Sequence, residues 1–220
     1  MCATPTSSGI VLISVRETHA GNNCGIGLHI SPLLKRKCFW PKELDRFDTE
    51  VNAISIDGTD KRTFERKHET LQLPYDRKNY THKHNHGGIR YQVTLAAHRQ
   101  QVVDIFGSVR GGMNDKEMLT HSGVLNRLKK GKLAVTDRGY IKKAFEKKVS
   151  WPNEQDNKDT NNLKSRIRLR HKTFNGKMWF YSSMRDTWTH SIEKHGLVFC
   201  AVAVTIQYAL NDGTAMLFAA

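Results

Sequence analysis

Asp57 and Asp137 each close a run with the alternation of a β-strand. The runs are Val51-Asn-Ala-Ile-Ser-Ile-Asp57, followed by Gly58 as a turn, and Lys132-Leu-Ala-Val-Thr-Asp137. Carboxylates held at strand ends suit a hard divalent cation, which takes oxygen ligands. Two such ions about 4 Å apart activate the attacking oxygen and stabilise the leaving one in an in-line displacement at phosphorus. Taken singly, a strand-end aspartate is more often a turn or cap residue. Specificity comes only from a combination, with a third acid supplied by a packed helix.

The elements that must position these acids follow from periodicity. Ile54 and Ile56 alternate with polar neighbours, as do Tyr91-Gln-Val-Thr-Leu95 and Gln101-Val-Val-Asp-Ile-Phe106. Short gaps between these runs favour an antiparallel meander. A helix is expected from Asp115 through Met118, Leu125 and Leu128, closed by Gly131. The Asp137 strand comes next, then a polar loop from Asn153 to Asn162. Leu163, Ile167, Phe174, Met178 and Tyr181 mark an amphipathic helix. Val198, Phe199, Val202, Ile206 and Leu210 mark another, stopped by Asn211-Asp-Gly213. Three strands, a helix, a strand, then helices is the order of an α/β, ribonuclease H-like domain with a mixed sheet flanked by helices. Residues 1–45 carry little periodicity and read as a loosely structured segment before a domain at 46–220.

Composition bounds the partners. The 220 residues carry a formal net charge of +14, with 38 % hydrophobic and 25 % charged residues, so the chain is globular and suited to a polyanion such as DNA. Arg138 to Lys172 alone holds eleven Lys/Arg against four Asp/Glu, which is half the excess. Arg166, Arg168, Arg170 and Lys172 are candidates to track a DNA backbone, and a solvated helix face explains them equally well. Trp179 beside them offers a stacking face for an unpaired base, although packing is the commoner role. The basic Lys35-Arg-Lys37 reads first as a solvated loop.

Other candidates are weaker. His82, His84 and His86 alternate, but no Cys or Glu stands at zinc-ligand spacing. His190 and His195 read as helix-packing residues. Cys2, Cys24, Cys38 and Cys200 form no C-x-x-C pair, so reduced thiols in an intracellular compartment are expected. There is no secretory signal pattern, and the apolar run Gly196 to Leu210 is too short to span a bilayer, so no membrane partner is expected.

Several motifs occur in order: Ile56-Asp-Gly-Thr59, Thr81-His-Lys-His-Asn-His-Gly87, Gly111-Gly-x-x-Asp115, Ser122-Gly-Val-Leu125, Thr136-Asp-Arg-Gly-Tyr140 and Arg170-His-Lys-Thr-Phe-Asn-Gly176. With Thr189-His-Ser-Ile-Glu-Lys-His195 and Val198-Phe-Cys-Ala-Val-Ala-Val204, they resemble the DDE superfamily of transposase endonucleases, in its Harbinger-type branch, over roughly residues 50 to 213. The resemblance implies a ribonuclease H-like fold, Mg²⁺ or Mn²⁺ as cofactor, DNA as substrate and a nuclear setting. Asp57 takes the place of the first catalytic, metal-binding acid and Asp137 that of the second. Asp115 falls where the family often has a supporting acid, and a helix N-cap is the alternative. The His82–His86 stretch becomes a structural loop near the active site.

The third acid of the family is a glutamate in an Arg-His-Glu-Thr-x-Asn-Gly pattern, and that position is Lys172 here, 35 residues after Asp137. Glu to Lys changes the local charge by two units. The resemblance therefore implies an endonuclease whose turnover is impaired or lost, unless Asp156, Asp159 or Asp186 substitutes. A non-catalytic, transposase-derived DNA-binding or interaction protein is the alternative, and a plain nuclease explains the motifs less well. Family members usually carry a helix-turn-helix ahead of this domain. Its pattern is not legible in the first fifty residues, so recognition of the terminal repeats is expected to be absent or supplied by a separate DNA-binding protein.

Overall fold

The computed structural model describes residues 51–64, 80–81 and 86–213. The segment 1–45, Lys35-Arg-Lys37, His82, His84, Cys2, Cys24 and Cys38 lie outside the described residues.

The six strands are β1 (Val51–Arg62), β2 (Tyr80–Thr81), β3 (His86–Ala96), β4 (Val102–Arg110), β5 (Lys132–Val135) and β6 (Val149–Ser150). The helices are α1 (Asp115–Ser122), α2 (Lys158–Trp179), α3 (Ser182–Arg185) and α4 (Ile192–Asn211). β1, β3 and β4 form the expected antiparallel meander. β5 then joins β1 in parallel and β6 joins β5 in parallel, giving a mixed sheet. β2 pairs only with the first residues of β3.

Alternation along the strands divides the apolar residues between two faces. Tyr91, Val93 and Leu95 of β3 pack against Phe174 and Met178 of α2 and Phe199, Val202 and Ile206 of α4. Ile54 and Ile56 of β1 pack on the other face with Leu119 of α1, Leu125 and Tyr140. Both faces are covered, so residues 53–56 of β1 are all buried. Buried polar side chains fix the helices on the sheet. Gln207 of α4 accepts from Val102 N at 2.7 Å and donates to the Gln100 carbonyl at 3.2 Å.

Three expectations need correction. Asp57 does not end its strand and Gly58 is not a turn, because antiparallel pairing with β3 carries β1 on to Arg62. The helix expected from Asp115 to Leu128 is broken at Gly123, whose left-handed φ of 61° ends α1 and starts a 3₁₀ turn at Val124–Arg127. Leu125 and Leu128 are buried all the same. On α2, Ile167, Phe174 and Met178 face inward as predicted, but Leu163 is 45 % exposed and Tyr181 lies beyond the helix. Lys164, Arg170 and His171 take inner positions. The polar loop ends at Asn157, which caps α2 by accepting from Thr160 N at 2.7 Å.

Candidate functional site

The parallel register of β1 and β5 sets the two aspartates level. Ser55 pairs with Val135, and Asp57 and Asp137 each follow two residues on, just past the last parallel partners. The backbone thus separates where the side chains are brought side by side. Asp57 Oδ1 accepts from Gly58 N at 3.0 Å, and Asp137 Oδ1 accepts from Gly139 N at 2.7 Å, capping the 3₁₀ turn Arg138–Tyr140. Burial, followed by the neighbouring charge of Asp137, pushes Asp57 up to about 6. Asp115 and Arg168 also reach Asp57 electrostatically, with opposite signs.

Asp115 joins this group from the first turn of α1. It is not the N-cap: Asn114 has that role, accepting from Glu117 N at 2.9 Å. Arg90, facing Asp60 across the β1–β3 pair, donates through Nη2 to Asp115 Oδ1 at 2.7 Å and through Nη1 to the Met113 carbonyl at 2.9 Å. Its Nε also lies 3.4 Å from Asp60 Oδ1. Burial raises the Asp115 pKa, opposed by Arg90. Tyr140 is buried among the three aspartates, and burial together with their charges holds its phenol neutral. Two glycines leave room for the acids. A Cβ at Gly58 would lie 3.0 Å from Asp115 Oδ1, and one at Gly139 would lie 2.9 Å from Asp137 Oδ1 and 3.3 Å from Asp115 Oδ2.

Helix α2 closes the other side. Ser55 and Asp57 share a face of β1, and Ser55 Oγ bonds His171 Nε2 at 2.8 Å in the interior. Burial drives His171 down to about 3, so it anchors α2 as a neutral ring. That anchor brings the next residue, Lys172, to a cleft of about 270 Å³ shared by Ile56 and Asp57 with Ser165, Arg168 and Leu169. Arg168 and Lys172 stand one helical turn apart on the same face. The other cations diverge. Arg166 is exposed, whereas Arg170 is buried, with Nη1 donating to the carbonyls of Ala96 at 2.7 Å and Arg99 at 3.1 Å. Arg170 is therefore a structural cation and not a DNA-facing one. Trp179 is 45 % exposed and carries the Lys61 ammonium 5.2 Å from its ring centroid.

None of the three substitute acids stands beside Asp57. Asp156 is bound to Lys164 at 2.6 Å and to Asn153 at 3.0 Å. Asp159 precedes Lys172 by thirteen residues on α2, about 20 Å along the axis. Asp186 is exposed and paired with Arg185 at 3.0 Å. His195 is buried and bonded to the Tyr91 hydroxyl at 2.7 Å, a packing residue as expected. His86 turns its Nδ1 to the Gly87 carbonyl. Arg90 and Asp60 carry no sequence signal of a role: only strand register reveals their pairing. Tyr140 ends the motif Thr136-Asp-Arg-Gly-Tyr140, but its place among the acids comes from the 3₁₀ turn.

Asp57 and Asp137 repel each other, offer only oxygen donors and sit in a cradle that a Cβ at Gly139 would fill, so they fit one hard cation. The arrangement does not fit two. Asp115 is engaged by Arg90, the helix presents Lys172, and among the described residues no three His, Cys, Asp or Glu side chains are grouped to hold a metal ion.

A mixed sheet flanked by helices, with two acids side by side at adjacent parallel strands, is the frame of a ribonuclease H-like nuclease. A family model described as DDE superfamily endonuclease matches residues 56–205, and the chain belongs to that superfamily. No curated protein and no solved structure matches it significantly. The superfamily is one of divalent-metal endonucleases, and such a domain implies DNA as substrate.

Proposed function

We propose that the chain is a Harbinger-type, transposase-derived endonuclease domain that engages DNA in the nucleus and whose phosphoryl-transfer activity is impaired by Lys172. The observation that carries this reading is the cleft in which Lys172 and Arg168 share a wall with Asp57. Asp57 and Asp137 would hold one Mg²⁺ or Mn²⁺, which would polarise a phosphoryl oxygen. Asp115 is a positioning residue, keeping Arg90 beside the acids. Arg166 and Arg168 face the DNA backbone. At the third corner an ammonium replaces a carboxylate, so a second cation meets repulsion where the family offers a ligand. Losing that clamp removes several kcal/mol of transition-state stabilisation, about a thousandfold in rate or more.

A non-catalytic DNA-binding role is the second reading, favoured by Arg168 and Lys172 having no ion pair or hydrogen bond among the described residues. Cleavage of a DNA duplex with Mg²⁺ or Mn²⁺ by wild type and Lys172→Glu separates the two. The expected result is little or no wild-type cutting and a gain in the glutamate variant that Asp57→Ala abolishes. Robust wild-type cutting lost in Asp57→Ala would overturn the impairment. DNA binding without cutting by either protein would favour the second reading.

A further inference from the structure

Two cations without ion pairs or hydrogen bonds, beside a partly buried carboxylate, are an unusual wall for a metal site. They are an ordinary one for an oxyanion. Arg168 offers a planar fork of N–H donors and Lys172 three donors on a flexible stem, a pairing suited to a phosphate oxygen. Both project from one face of α2 into the same cleft, and the buried His171–Ser55 bond fixes that face against β1. Neither makes an ion pair or hydrogen bond among the described residues, although the Arg168 charge is felt by Asp57. The cleft is about 270 Å³, and on its helical side Ser165 adds a hydroxyl beside Leu169.

We infer that the corner of the site formed by Ser165, Arg168 and Lys172 is a metal-independent subsite for a phosphodiester of the nucleic-acid backbone. The inference rests on the DNA-directed reading above and deepens it. Where the family places a metal-binding carboxylate that brings a phosphate in through a cation, this chain supplies the cations itself. The phosphate sits against α2, on the far side of the cleft from Asp57, whose charge keeps it there. DNA binding through this corner therefore needs no divalent ion.

Fluorescence anisotropy of a labelled DNA duplex tests this, in EDTA and again in Mg²⁺, over a range of salt. Wild type is expected to bind already in EDTA, with Mg²⁺ changing its affinity far less than that of Lys172→Glu. Lys172→Glu is expected to bind about tenfold more weakly in EDTA and to recover in Mg²⁺, while Lys172→Met and Arg168→Gln each lower the salt slope by about one. Lys172→Arg is expected to bind like wild type. Inorganic phosphate should compete with the duplex in wild type more effectively than in Lys172→Met. Both side chains are exposed, so thermal unfolding of each variant should match wild type. Unchanged affinity and slope in Lys172→Met and Arg168→Gln would overturn the subsite and leave the DNA-directed reading standing. Wild-type binding that appears only with Mg²⁺ would overturn it as well. Absence of wild-type binding under every condition would remove the DNA-directed reading itself.

Discussion

Asp57 carries an electrostatic cost that its fold does not relieve unaided. Burial and the Asp137 charge raise its pKa from 3.8 to about 6. A carboxyl with a raised folded-state pKa favours the fold while protonated, and the benefit is lost as pH rises from about 4 through about 6. Above that window the ionised group is a net burden on the native state. Asp57→Asn is therefore expected to stabilise the metal-free protein at pH 7.5 by on the order of 1–3 kcal/mol and to change little at pH 3.5. Thermal unfolding at the two pH values checks it. Equal effects at both would refute the repulsion. The acids themselves were legible, because each follows a short alternating run. Arg90 and Asp60 were not, since their pairing depends on a register between strands some thirty residues apart. Asp57's place within its strand was misread because Gly58 has the look of a turn, while its lack of a Cβ serves the nearby Asp115 and Arg90 side chains.

Helices α2 and α4 hold the site from one face, and their inner surfaces differ in kind. α4 docks by aromatic stacking: Tyr91 and Phe199 lie 3.9 Å apart at 4°, with His195 and Trp188 edge-on beside them at 4.9 Å. Its apolar spacing is regular, so the sequence marked it well. α2 buries Lys164, Arg170 and His171 among its apolar residues, which blurs the helical period so that Leu163 reads as inward in the sequence but is exposed in the fold. Each of those polar groups has a partner that sequence alone does not reveal. Neutral buried histidines make the docking sensitive to acid. His195 is lowered to about 4 and His171 to about 3, both chiefly by burial. The unfolded chain takes up these protons near pH 6.5 and the folded one does not, so stability falls as pH drops from about 6.5 toward 4. For His195 alone the loss is up to about 3 kcal/mol. His195→Gln is expected to flatten that part of the curve of stability against pH. An unchanged slope would show that His195 is not held neutral.

At the scale of the whole molecule, net charge and the order of elements were the most legible features, because each is summed over many residues. The mixed sheet followed from the family resemblance, since periodicity alone gave only the antiparallel meander. The charge of +14 spreads well beyond one cleft. Replacing a single cation should therefore remove only about one unit of the salt dependence of DNA binding and leave most of it in place. A measured slope that collapsed on one substitution would contradict a distributed basic surface. What pattern cannot give is the meeting of distant segments: β1, β5, α1 and α2 converge on one site only once folded. The central claim concerns that site, where two acids fit one divalent ion and Lys172 excludes a second. Calorimetric titration with Mn²⁺ tests it most directly. Wild type is predicted to bind no more than one ion, lost in Asp57→Asn, and Lys172→Glu to bind a second. Two ions bound by wild type as tightly as by Lys172→Glu would contradict it.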